Sequence, residues 1–131
     1  MNKFYKKAFL TIASSVLFVA AQAQSVLEDV VNAVRNSNVT VIEKYYDNIV
    51  PITMNGTQSA YSRTQASLVL KDFFTRNTPK DVLILNSGAA TSNSQFAIGT
   101  FTTTNGVTYN LYILLKSKDN TYYLQELRFN K

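Results

Sequence analysis

The stretch Gln95-Phe96-Ala97-Ile98-Gly99-Thr100-Phe101-Thr102-Thr103-Thr104-Asn105-Gly106-Val107-Thr108-Tyr109-Asn110-Leu111-Tyr112-Ile113-Leu114-Leu115-Lys116-Ser117 decides how this chain folds. It is rich in β-branched and aromatic residues on both sides of Asn105-Gly106, the strongest short hairpin signal. Two strands, 95–104 and 107–117, are therefore expected to pair antiparallel. A two-residue turn sets Thr104 opposite Val107, Ile98 opposite Ile113 and Phe96 opposite Leu115. One face then carries Phe96, Ile98, Thr100, Thr102, Tyr109 and Leu111. The other carries Ala97, Gly99, Phe101, Tyr112, Leu114 and Lys116. The first face is the more apolar and is expected to meet the rest of the core.

Working outward, Lys118-Asp119-Asn120 turns the chain into a last strand, 121–129. Upstream, Val82-Leu83-Ile84-Leu85 marks a strand over 81–86, and the small polar residues 88–94 read as a loop. Ser62-Arg63-Thr64-Gln65 is a capping box, in which serine and glutamine satisfy each other's orphan backbone donors. The helix it starts has Ala66, Val69, Leu70, Phe73 and Phe74 at helical spacing and stops at Asn77-Thr78-Pro79. A strand at 49–54, with Pro51 pointing to an edge position, turns at Asn55-Gly56 into a return over 58–61. Two helices come first. One opens on a second capping box, Ser25 to Glu28, and buries Val26, Leu27, Val30, Val31 and Val34. The other, 39–46, is capped by Asn38 and buries Ile42, Tyr45 and Tyr46; its β-branched residues make it a weak helix former. Helices collected on one side of a curved, mainly antiparallel sheet give an α+β domain.

The first 23 residues have a different character. Lys3, Lys6 and Lys7 precede an uncharged apolar run, 8–21, and Ala21-Gln22-Ala23 places small residues where a signal peptidase reads them. The run is about 21 Å as a helix, short against a hydrocarbon core of roughly 30 Å. Residues 1–23 are thus expected to be a cleaved leader and 24–131 a single exported domain, periplasmic or secreted. With no cysteine after the leader to carry a lipid, that domain is expected to be soluble and off the membrane. The 131-residue chain has a net charge of +5. From Gln24 onward ten Lys/Arg face eight Asp/Glu, and they do not cluster, so the basic balance belongs to the leader and does not point to nucleic acid.

Cysteine and histidine are both absent. That removes disulfides, the usual zinc and haem ligand sets, and nucleophile–histidine or cysteine-nucleophile catalysis. No cofactor or metal site is read, and no two carboxylates have a spacing that divides acid and base roles.

Tyr61-Ser62-Arg63-Thr64-Gln65-Ala66, Leu70-Lys71-Asp72-Phe73-Phe74, Ala97-Ile98-Gly99-Thr100, Tyr112-Ile113-Leu114-Leu115-Lys116 and Gln125-Glu126-Leu127-Arg128 together resemble a small exported family of Bacteroidota, domain of unknown function 4783. That family lies within the nuclear transport factor 2-like superfamily. The resemblance implies a cone of three helices against a bent sheet and brings no assigned reaction. It also implies that the aromatic opening the last strand faces inward. A two-residue turn at Asp119-Asn120 then pairs Leu115 with Leu124 and Ile113 with Glu126, and points Tyr122, Glu126 and Arg128 into the cone. A three-residue turn would reverse those faces.

Ligand contacts are accordingly expected from Tyr45, Tyr61, Tyr109, Tyr122, Glu126 and Arg128. Against this stands the plainer reading: packed tyrosines, and a Glu126–Arg128 pair that neutralises itself. The outward face would expose Phe101, Tyr112, Leu114, Leu127 and Phe129, an apolar patch larger than a soluble monomer leaves bare. A second copy is expected to cover it. Three functions follow: a non-enzymatic binder of a small molecule or protein partner, a dehydratase- or isomerase-like enzyme using tyrosine and a carboxylate, or a structural subunit with a filled cone.

Overall fold

The computed structural model describes residues 22–131; the leader expected over 1–23 lies, up to residue 21, outside the described residues. Helix α1 covers residues 22–35, so Ser25 stands within it and does not cap it. A turn through Ser37, in the left-handed region at φ 55°, leads to α2, Val39–Glu43. The Asn38 side chain caps α2 by accepting from the Val41 amide at 3.2 Å. The helix ends earlier than its apolar spacing predicts, and Tyr46 already bridges to Leu124 of the sheet. Strands β1, Ile49–Met54, and β2, Thr57–Ser62, form a hairpin closed by Asn55 and Gly56, both at positive φ. Helix α3, Arg63–Arg76, starts at the predicted capping box: Ser62 Oγ accepts from Gln65 N, and Gln65 Oε1 accepts from Ser62 N.

Four strands complete the domain: β3, Pro79–Thr91; β4, Ser94–Thr103; β5, Thr108–Lys118; and β6, Thr121–Asn130. The sheet order is β2-β1-β6-β5-β4-β3, with β1 and β6 parallel and every other pair antiparallel. Three expectations need correction here. Residues 88–91 continue β3 as strand, because their backbone pairs with β4 down to Thr91–Ser94. The pairing tolerates small residues by inserting bulges near Lys80, Leu85 and Ala90, which bend the strand. Pro51 does not lie on an edge strand. It occupies the half of β1 that β6 leaves unpaired, since the β1–β6 ladder covers only Ile52–Met54.

The third correction concerns faces. Asn105-Gly106 does not form a two-residue turn. Thr103 and Val107 are bonded opposite each other, leaving Thr104, Asn105 and Gly106 as the loop. The buried Thr103 hydroxyl donates to Asn105 Oδ1 at 2.6 Å and accepts from Val107 N at 3.0 Å. Only Gly106 adopts positive φ (86°), whereas a two-residue type I′ turn needs two such residues. The slip of one residue pairs Ala97 with Ile113, Ile98 with Tyr112 and Phe101 with Tyr109. Tyr109, Leu111, Ile113 and Leu115 face the helices as expected, but from β4 it is Ala97, Phe101 and Thr103 that join them. Phe101 is fully buried and Ile98 is 43% exposed.

The second turn is as expected: Lys118 pairs with Thr121 across Asp119 and Asn120, both at positive φ, and Leu115 pairs with Leu124. A bulge at Gln125 then changes the parity of β6. Beyond it Ile113 pairs with Leu127 and Leu111 with Phe129, so Leu127 and Phe129 are fully buried. Glu126 and Arg128 turn to the face away from the helices, opposite Leu114 and Tyr112.

Candidate functional site

The helix side of the sheet is where a ligand cavity was expected. Its deep end is occupied by five aromatic rings. Phe73 lies 4.4 Å from Phe129, 5.4 Å from Tyr109 and 5.8 Å from Phe101, centroid to centroid. Phe74 stands edge-on to Phe73 and Phe129. Offset and edge-on contacts at these distances are the favourable aromatic geometries. Val30, Val34, Ile42, Leu70, Leu111, Ile113, Leu115, Leu124 and Leu127, all fully buried, fill the remainder. Between α1 and strands β3 and β4 a mouth of about 320 Å³ stays open, floored by Leu27, Val31, Ile84 and Ala97. Its rim includes Arg35, whose guanidinium is spent on Asn32 Oδ1 at 2.6 Å and the Val82 carbonyl at 3.1 Å.

The six residues expected to contact a ligand do not converge. Tyr109 is buried in the aromatic cluster and donates to Asn77 Oδ1 at 2.8 Å. Tyr61 packs from β2 onto the core edge. Tyr45 and Tyr122 share a separate groove of about 380 Å³ with Asp29, Lys44 and Asn120. There the Tyr45 hydroxyl donates to Asp29 Oδ2 at 2.7 Å. Burial, then that hydrogen bond and the carboxylate charge, pushes the Tyr45 phenol up to about 12. Burial likewise raises the Tyr46 phenol. Glu126 and Arg128 lie outside the cone, joined by a bidentate pair with Nε at 2.5 Å and Nη2 at 2.9 Å. The Glu126 hydrogen bond raises the already high Arg128 value further. Arg128 also sits 4.8 Å above the Tyr112 ring, a cation–π contact.

Of the five residues expected at an interface, Phe101, Leu127 and Phe129 are core. Tyr112 and Leu114 do stand on the open face, half-buried among their neighbours. The turn slip and the bulge bring other residues beside them. One row across the strands reads Ile98, Tyr112, Arg128; the next reads Phe96, Leu114, Glu126. On β3, Leu83 is 54% exposed opposite Thr100, and Leu85 is 65% exposed at its bulge. Leu83 and Leu85 were missed as surface residues because a continuous apolar run reads as core, and Phe96 and Ile98 because a two-residue turn sets them on the inward face, which the one-residue slip reverses. At the gap between β1 and β6, Asp47 pairs with Lys118, which holds the Asp47 carboxyl below its usual range and raises the Lys118 ammonium.

Among the described residues no group of three or more acidic, histidine or cysteine side chains could hold a metal ion, and no helix is long and apolar enough to cross a membrane.

Comparison with known proteins agrees with this architecture. A crystal structure of a DUF4783 family protein from Bacteroides ovatus ATCC 8483 superposes with a TM-score of 0.73 at 26% identity, over 79% of this chain and 92% of that one. A DUF4783 family protein from Bacteroides fragilis YCH46 gives 0.71 at 25% identity, over 79% and 95%. An NTF-2 like protein of unknown function from Shewanella oneidensis MR-1 gives 0.62 at 10% identity, over 82% and 94%, a likeness of fold alone. No curated protein matches. The family model for DUF4783, a domain of unknown function, matches residues 27–130, nearly the whole described domain, and the chain therefore belongs to that family.

Proposed function

We propose that this protein is a non-enzymatic, exported interaction domain that works through the open face of its sheet, and that its first partner there is a second copy of itself. The observation that carries the reading is the division of apolar side chains between the two faces. The deep end of the helix side is filled by the Phe73, Phe74, Phe101, Tyr109 and Phe129 cluster, while Leu83 and Ile98 stand in the open beside Phe96, Tyr112 and Leu114. Contiguous apolar side chains on a soluble surface mark contact sites. The same face carries Glu126 and Arg128 in adjacent rows. A two-fold contact sets each residue against the partner's patch, so the pair can meet its own opposite across the axis. Against catalysis weighs the fate of the carboxylate best placed for it: Glu126 is bound to Arg128 and faces away from the cone.

Sedimentation equilibrium tests the reading. A dimer with a Kd on the order of 10 µM is expected, and Ile98→Asp should abolish it while leaving the circular dichroism spectrum unchanged. A monomer at every concentration through the micromolar range, or a dimer indifferent to Ile98→Asp, would refute it.

A further inference from the structure

A groove of about 360 Å³ lies between α2 and α3, away from both the open face and the aromatic cluster. Its walls are Glu43 on one side and Arg63, Thr64, Leu68 and Lys71 on the other; Tyr46 and Ser67 form its floor. Arg63, Ser67 and Lys71 recur at four-residue spacing and so share one face of α3. Tyr46 is 3% exposed and Ser67 8%. Their hydroxyl oxygens are 3.2 Å apart, and this is the one hydrogen bond either side chain makes among the described residues. Two hydroxyls carry two hydrogens, and one bond between them uses one. Ser67 Oγ donates to the Tyr46 oxygen, so the Tyr46 O–H is the hydrogen left without a protein acceptor. Leaving such a donor unpaired is costly, so the floor of the groove calls for an acceptor from outside.

The rim calls for the same thing. Arg63 uses only Nε, donated to the Asp47 carbonyl at 3.2 Å, which leaves its terminal nitrogens for another oxygen. The Lys71 ammonium has no hydrogen-bond or ion-pair partner among the described residues. Glu43 is the one acid lining the groove, and the Asp47 carboxylate, which lies near Arg63, is already paired with Lys118, so within the groove two cations oppose one anion. We propose that this groove is a binding site for a small oxyanion, a carboxylate or a phosphate. Arg63 and Lys71 hold its charge, and the Tyr46–Ser67 pair donates its spare hydrogen to one of its oxygens. Charge-assisted bonds of this kind are the strong ones, and the guanidinium fork suits an oxyanion's geometry.

The test is an amide NMR titration of the protein with succinate, with inorganic phosphate, and with neutral succinamide as control. Either anion should shift the amides of Thr64, Ser67, Leu68 and Lys71 with a Kd on the order of 1 mM, and succinamide should not. The stronger of the two anions identifies the ligand class. Tyr46→Phe keeps the ring and removes the hydroxyl; it should weaken binding about tenfold, as should Lys71→Gln, which is exposed and leaves folding intact. Silence of both anions at the groove, or shifts that survive unchanged in both variants, would overturn the proposal. Neither result bears on the dimer, which uses the opposite side of the molecule.

Discussion

Neighbouring residues on β6 have opposite fates, and the bulge at Gln125 is what separates them. Leu127 is fully buried between Ile113 and Ile52, so Leu127→Ala should cost about 2–5 kcal/mol in urea unfolding. Glu126 is held by an Arg128 whose side chain is 44% exposed, and Glu126→Gln should cost less than about 1 kcal/mol. Equal losses would mean that the bulge is misplaced. Tyr45 offers a pH-dependent check. Its folded value is raised to about 12 from 10.0, so the folded state favours the neutral phenol. The stability this contributes is complete below pH 10 and is lost as the pH rises through about 12. Spectrophotometric titration should show Tyr45 and Tyr46 ionising late, and Tyr45→Phe should shrink that late step by one tyrosine. A Tyr45 that ionises near its ordinary value of 10.0 would contradict the Asp29 contact.

At the scale of elements, Gly99 shows how closely β3 and β4 approach. A Cβ at Gly99 would run into the Leu83 carbonyl oxygen and stand 3.0 Å from Ile84 Cα, both backbone atoms that cannot swing away. Gly99→Ala should therefore cost about 1–3 kcal/mol, read by thermal or urea unfolding; a neutral result would mean that the Leu85 bulge relaxes freely. The elements themselves were legible in the sequence. The capping box at Ser62, the spacing of Leu70, Phe73 and Phe74, and the turns at Asn55-Gly56 and Asp119-Asn120 each name a local structure that forms as read. The faces of β4 and β6 were not, because parity depends on single inserted residues. Thr103 captures the 104–106 loop through a side-chain hydroxyl, an interaction that the Asn-Gly signal does not reveal. On β6 a clue was present. Tyr122 and Leu124 alternate correctly with each other, and so do Leu127 and Phe129, but the step from Leu124 to Leu127 is odd. A strand that buries both sets must insert a residue between them. The expected site dissolved for the same reason: Glu126 and Arg128 left the cone with the bulge, while Phe101, Leu127 and Phe129 entered it.

At the scale of the molecule, bulges near Lys80, Leu85 and Ala90 on β3 and at Gln125 on β6 curve the six-stranded sheet around the helices. β6 holds the two halves of the chain together. Leu124 bonds to the Tyr45 carbonyl and bridges Tyr46, and residues 127–129 pair with Ile52, Thr53 and Met54. The curved sheet thereby encloses a core on one side and presents Leu83, Ile98, Phe96, Tyr112 and Leu114 on the other. That the second side is the working surface is tested most directly by methyl and amide NMR spectra recorded from low micromolar to millimolar concentration. Resonances of Leu83, Ile98, Tyr112 and Leu114 should move with concentration, and those of Leu27, Val31 and Ile84 at the cone mouth should stay fixed. Spectra that do not change with concentration, or changes centred on the cone mouth, would contradict a dimer built on the open face.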